Sequence, residues 1–229
     1  MSVPAALFTD GGLIGTNGDP DLLGTYTWVH VDAEGHFLRH ESGLVTPFPD
    51  KPVENNMVEL CALLRGLRSL PDGWSGPVHS DNKNALGWAR LILNRNGIPR
   101  KSEGVPARLK PYITAQLARL GPLTGIHLDG HPTDAELKAG VGHGGNPVSP
   151  HNRFCDDHCK AERVKYTLVN GLEVYKLTGQ EYARLTGETK EILAALGYAP
   201  PGTRRAKAAK REITEEEADR LFEEAINVC

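Results

Sequence analysis

The chain has no long hydrophobic run. None of its apolar stretches approaches the length of a membrane span, so no membrane partner is expected. Its first residues, Met1-Ser2-Val3-Pro4, lack a basic region followed by an apolar one; no signal peptide is read there, and a cytoplasmic location is expected. Cysteine is scarce: the four residues Cys61, Cys155, Cys159 and Cys229 are scattered, and inside a cell their default state is the reduced thiol. His151, Cys155 and Cys159 share one helix face, which suggests zinc, but no Cys-x-x-Cys pair accompanies them; the plainer reading is two small apolar side chains packed on a sheet. Internal repeats are missing, and so is a strong charge of either sign, the formal net charge being -3. That balance looks wrong for a nucleic-acid binder, but distribution matters more than the sum.

What is present is ordinary globular composition in 229 residues, enough for one sizeable α/β domain with a small appendage or at most two small domains. Basic residues cluster at 90–110 (Arg90, Arg95, Arg100, Lys101, Arg108, Lys110) and at 204–211, whereas acid concentrates near the C-terminal end. The stretch 3–9 is almost continuously apolar and predicts a central strand that stops at a turn, Asp10-Gly11-Gly12. Stretches 25–32 and 35–45 predict a hairpin. Asn55 and Asn56 open a helix whose Met57, Leu60, Leu64 and Leu67 recur at helical spacing to about residue 70. A strand at 76–80 runs into Asp81; helices are predicted at 83–93 and 106–120, and a strand at 123–129. Ser149-Pro150 starts a helix to about 163. Asn170-Gly171 marks a hairpin over 166–177, Thr178-x-x-Glu181 a helix to about 196, and Thr214-x-x-Glu217 a last amphipathic helix after the basic tract. The order predicts an α/β fold: a mixed five-stranded sheet with an antiparallel three-strand meander and helices on both faces. Residues 1–164 form the expected main domain, and 165–229 an accessory region of hairpin, helix, basic linker and acidic helix.

Four acids sit at the ends or starts of these elements: Asp10, Glu59, Asp81 and Asp156. Strand ends converge at one edge of an α/β sheet, so the set can form one cluster. Clustered carboxylates repel and call for a cation, and oxygen-only ligands favour a hard one, Mg²⁺ or Mn²⁺. Singly, each acid has an ordinary reading: Asp10 and Asp81 as turn residues, Glu59 as a solvated helix acid, Asp156 as the partner of Lys160 four residues on.

Their neighbours favour the joint reading. Phe8-Thr9-Asp10-Gly11-Gly12, Asn55-Asn56-Met57-Val58-Glu59-Leu60, His79-Ser80-Asp81-Asn82 and Asn152-Arg153-Phe154-Cys155-Asp156 stand in order on the expected elements. Together they resemble type-1 ribonuclease H over roughly residues 4–162, with Gly12 a mild departure from the family's T-D-G-S. The resemblance implies that Asp10, Glu59, Asp81 and Asp156 are catalytic metal ligands for two Mg²⁺ or Mn²⁺ ions, with Asp157 the substitute if the last register slips. It implies an endonuclease that hydrolyses the RNA strand of an RNA/DNA hybrid, leaving 5′-phosphate and 3′-hydroxyl. The family's mobile catalytic histidine corresponds to His131, which keeps the strand-then-Gly-His order, or to His143. Gly11, Gly12, Asn55, Asn56 and Asn82 are implied to contact the two strands; the ordinary reading of the asparagines is helix capping. Trp88 and the basic segment with Arg90, Arg95, Arg100 and Lys101 resemble the protrusion that grips the DNA strand; the ordinary reading is a core tryptophan and a solvated loop. Two alternatives stand beside the hybrid-cutting enzyme: another nuclease or strand-transfer enzyme of the same fold, and a nucleic-acid-binding module without activity.

Overall fold

The apolar stretch near the N-terminus becomes the middle of the sheet. In the computed structural model, which describes residues 3–14, 23–45, 54–92, 105, 107, 109–169, 179–185 and 187–195, strand β1 spans Ala6–Ile14. It pairs antiparallel with β2 (Leu23–Val31), which pairs antiparallel with β3 (Phe37–Val45). On its other side it pairs parallel with β4 (Gly76–Ser80), which pairs parallel with β5 (Leu123–His127). Among the described residues the sheet order is β3-β2-β1-β4-β5, the mixed five-stranded ribonuclease H-like arrangement that the motifs imply.

Alternation along the strands splits the core in two. Leu7 and Trp28 face helix α1 (Asn55–Arg68) and pack with Leu60, Leu63 and Val78; Phe8 and Val29 face the other way, toward Cys155 of helix α5 (Pro150–Val169). Helix α1 lies close to the sheet because glycines meet it: a Cβ on Gly66 would stand 2.7 Å from Leu7 Cδ1, and one on Gly11 2.7 Å from the Glu59 backbone nitrogen. Short helices α2 (Lys83–Trp88), α3 (Leu109–Arg119) and α4 (Asp134–Ala139) fill the connections, and α6 (Gly179–Arg184) and α7 (Gly187–Ala195) follow α5.

Several boundaries differ from those read in the sequence. Strand β1 does not stop at Asp10; it continues through Gly11 and Gly12, which pair with Tyr26 and Thr25 of β2. Of the glycines that signalled a turn, Gly11 admits α1, whereas Gly12 faces α5, where a Cβ would stand 3.7 Å from Cys159 Cβ. The helix expected over 83–93 ends at Trp88, and Arg90 takes a left-handed backbone with φ 60°. Helix α5 runs past 163 to Val169, so the first arm of the expected 166–177 hairpin is helical, and the expected domain boundary after 164 falls inside this helix. Tertiary packing accounts for this: Ala161 and Val164 bury against Leu185 and Leu193, and that apolar contact outweighs the β preference of the segment. The helix expected from Thr178 is broken into α6 and α7, with Leu185 turned into the same cluster. Helix α4 was not anticipated, although its capping box is legible: Thr133 accepts from Glu136 N while the Glu136 carboxylate accepts from Thr133 N. Asn170-Gly171, the basic tract 204–211 and the final acidic helix lie outside the described residues.

Candidate active site

Three carboxylates converge from three elements. Asp10 comes from the middle of β1, Glu59 from α1, and Asp81 from the residue that follows β4; their ligating oxygens all lie within 4.8 Å of one another. Gly11 makes this possible. With no side chain between β1 and α1, its amide donates to Glu59 Oε2 at 3.1 Å and holds that carboxylate toward Asp10. The parallel pairing of β4 with β1 brings Asp81 alongside. Asp156, on the second turn of α5, lines the same cavity of about 450 Å³.

The electrostatics follow from burial and crowding. Asp10 and Glu59 are buried, and their pKa values are pushed well above the ordinary carboxylate range, first by desolvation and then by the neighbouring acids. Asp81 is raised too, chiefly by burial, with the nearby His131 opposing. Asp156 behaves oppositely. Burial works against its charge, but hydrogen bonds from His131 and Lys160 outweigh it and lower the pKa. Lys160 Nζ lies 2.7 Å and His131 Nδ1 3.3 Å from Asp156 Oδ2, and that hydrogen bond raises the His131 pKa.

The two histidine candidates separate here. His131, in a left-handed backbone at φ 51°, stands at the cavity beside Asp156; His143 faces Glu136 at 3.6 Å, away from the carboxylates. The register alternative separates as well: Asp157 is turned from the cavity and accepts two bonds from Arg184, at 2.7 and 3.0 Å. Gly11, Gly12, Asn55 and Asn82 line the cavity. Neither Asn55 nor Asn56 caps α1; the cap position is Glu54, without a side-chain bond, and Asn56 Oδ1 instead accepts from Asn82 Nδ2 at 3.0 Å. Asn82 caps α2 through Ala85 N. Trp88 is half-buried against the α1-side core, and Arg90 is exposed; Arg95, Arg100 and Lys101 lie outside the described residues.

Three cavity neighbours were not singled out as functional in the sequence. Lys160 and Arg163 line the cavity, and Asn152 is buried on α5 near Asp81. The legible signal was the i, i+4 spacing of Asp156 and Lys160, with Asn152 one turn before Asp156 and Arg163 one turn after Lys160. Among the described residues His151, Cys155 and Cys159 form no metal-ligand group: Cys155 and Cys159 are buried against β1, Cys159 Sγ donating to Thr27 Oγ1 at 3.3 Å, and burial pushes both thiols up.

Solved structures with a related chain path include RNase H1 from the archaeon Halobacterium salinarum NRC-1, at 15% identity over 55% of this chain and 85% of that one, TM-score 0.37. An RNase H1 solved in complex with an RNA/DNA hybrid matches at 19% identity over 55% of this chain and 85% of that one, TM-score 0.39. The N-terminal RNase H domain of a Mycobacterium tuberculosis protein matches at 16% identity over 69% and 94%, TM-score 0.43. No family model matches the chain, and no curated protein does.

The donor set suits a hard divalent cation. Asp10, Glu59 and Asp81 offer only carboxylate oxygens, close enough to share one ion, and desolvated acids that cannot all ionise beside one another gain most from it. Asp156 faces the same space with Lys160 against its charge.

Proposed function

We propose that the chain is a metal-dependent endonuclease of the ribonuclease H type that hydrolyses the RNA strand of RNA/DNA hybrids, leaving 5′-phosphate and 3′-hydroxyl. The observation that carries this reading is the trio of converging carboxylates, two buried and one half-buried, drawn from a central strand, a helix and a neighbouring strand end, on the wall of an open cavity that a fourth acid shares. Bound there, Mg²⁺ or Mn²⁺, two ions in the resemblance, supplies Lewis-acid polarisation of a phosphoryl oxygen and an activated water.

The chain's own residues have distinct tasks. Asp10, Glu59 and Asp81 hold the cation, and Gly11 keeps Glu59 oriented by its amide. Asp156 completes the set from α5. It also holds a proton on His131, whose exposed ring is placed to deliver one to the departing 3′-oxygen. Asn55 and Asn82, with the backbone of Gly11 and Gly12, offer hydrogen-bonding groups to sugars and phosphates beside the scissile bond. Choice of a hybrid over duplex DNA rests on the wide minor groove with its 2′-hydroxyls, and is supported by the Asn-Asn-x-x-Glu resemblance.

The test is cleavage of a labelled RNA/DNA hybrid with Mg²⁺ or Mn²⁺, beside single-stranded RNA, duplex RNA, duplex DNA and a four-way junction. Cutting of the hybrid's RNA strand alone, abolished by EDTA and by Asp10→Asn, is expected. Cutting of another substrate moves the reading to a different nuclease of the fold; binding of the hybrid without cutting moves it to a silent module.

A further inference from the structure

A second cavity, of about 460 Å³, opens next to the carboxylate site and shares His131, Asp156 and Lys160 with it. Gln180 and Arg184 of α6, C-terminal to the motif-bearing residues, line its far wall beside Arg153 of the α5 motif. The balance of charge shifts across the shared residues. The carboxylate cavity adds Asp10, Glu59 and Asp81 with Arg163 to them; the second cavity adds Arg153 and Arg184, with Asp134 its one further acid.

The basic groups are anchored. Arg184 is bound side-on by the buried Asp157, at 2.7 and 3.0 Å, which fixes its guanidinium at the cavity wall. Arg153, half-buried, pairs with Asp134, whose side chain is 87% exposed. Helix α6 is part of this wall because Leu185 and Leu193 pack on Ala161 and Val164, which docks the C-terminal segment on α5. Placed guanidinium groups lose little conformational freedom on meeting an oxyanion, and their planar donors match phosphate.

We propose that this second cavity is a phosphodiester subsite for the strand being cut, so that α6 forms part of the nucleic-acid surface. The inference rests on the nuclease reading above. A strand with one phosphate at the carboxylate centre runs over His131 and sets a further phosphate against Arg153, Lys160 and Arg184, with Gln180 at the rim.

Gln180, which is exposed, gives the cleanest test. Binding of a fluorescent hybrid to the full chain is measured in Ca²⁺ over a salt series for Gln180→Glu and Gln180→Lys, and for the charge-neutral pair Asp157→Asn with Arg184→Gln. The glutamate is expected to weaken binding about fivefold or more and the lysine to tighten it; the double variant is expected to reduce the salt dependence by about one phosphate contact. Hybrids shortened to end at the scissile phosphate on either side supply the decisive readout. On one of the two, the effects should vanish, which a purely structural role of α6 would not produce. Wild-type cleavage together with equal binding by both Gln180 variants overturns the subsite and leaves the nuclease reading standing. A wild-type chain that neither binds nor cuts the hybrid overturns both.

Discussion

Replacing Asp10 by asparagine should abolish the activity and at the same time stabilise the metal-free protein. At an effective dielectric of about 20, two unit charges at 4.8 Å, the outer limit of the Asp10, Glu59 and Asp81 spacing, repel by about 3.5 kcal/mol. Three such pairs would cost about 10 kcal/mol, as much as the whole stability of an ordinary domain. Without a cation the cluster therefore holds protons. Asp10, raised first by burial and then by Asp81 and Asp156, binds its proton to higher pH folded than unfolded. Its contribution to stability is thus fully present below the ordinary value of 3.8 and is lost as pH rises through the raised folded value. Glu59 and Asp81 act in the same direction. Asparagine removes two of the three repulsions, and because protonation already relieves part of them, the gain at pH 8 should be about 1–2 kcal/mol. At about 2–4 °C per kcal/mol for a chain of this size, the melting temperature in EDTA should rise by about 2–8 °C. The rise should be smaller at pH 5, and the stabilisation of wild type by Mn²⁺ should be largely lost. Thermal melts at both pH values, with and without Mn²⁺, and hybrid cleavage rates make the comparison. A fall in the metal-free melting temperature at pH 8, or retained cleavage, would refute the reasoning.

Three further substitutions probe the surroundings. His131→Ala should lower kcat on the hybrid about 100-fold, in the range of lost proton transfer, while His143→Ala, at the Glu136 pair, should stay within about twofold; equal losses would deny His131 its role. Gly11→Ala places a Cβ 2.7 Å from Glu59 N and 2.8 Å from Val58 C, both backbone atoms of α1, so the helix must shift. Thermal melts should show about 1–3 kcal/mol of destabilisation, and Mn²⁺ titration a weakened site, because Glu59 moves with the helix. An unchanged Mn²⁺ affinity would show that Gly11 does not position Glu59.

The sequence by itself determined the elements with a clear period and clear ends. Met57, Leu60 and Leu67 are buried on α1 with Leu64 half-buried against the same core, β4 spans 76–80 as read, and Ser149 opens α5, its hydroxyl accepting from His151 N at 3.1 Å. Local rules suffice there, since side-chain period and capping are properties of a few adjacent residues. The order of the acids on those elements was legible for the same reason. Tertiary structure alone decided what depends on distant partners. Gly11 and Gly12 read as a turn until β1 runs on beside β2 and α1 lies across Gly11. Residues 166–169 read as strand until Leu185 and Leu193 cover α5. Asp156 and Asp157 are equivalent as letters, and His131 and His143 nearly so. The rotation of α5 about its axis sends one acid to the cavity and the other to Arg184, and the turn after β5 brings one histidine within reach of Asp156. A helix fixes which residues share a face, but only the surface it packs against fixes where that face points.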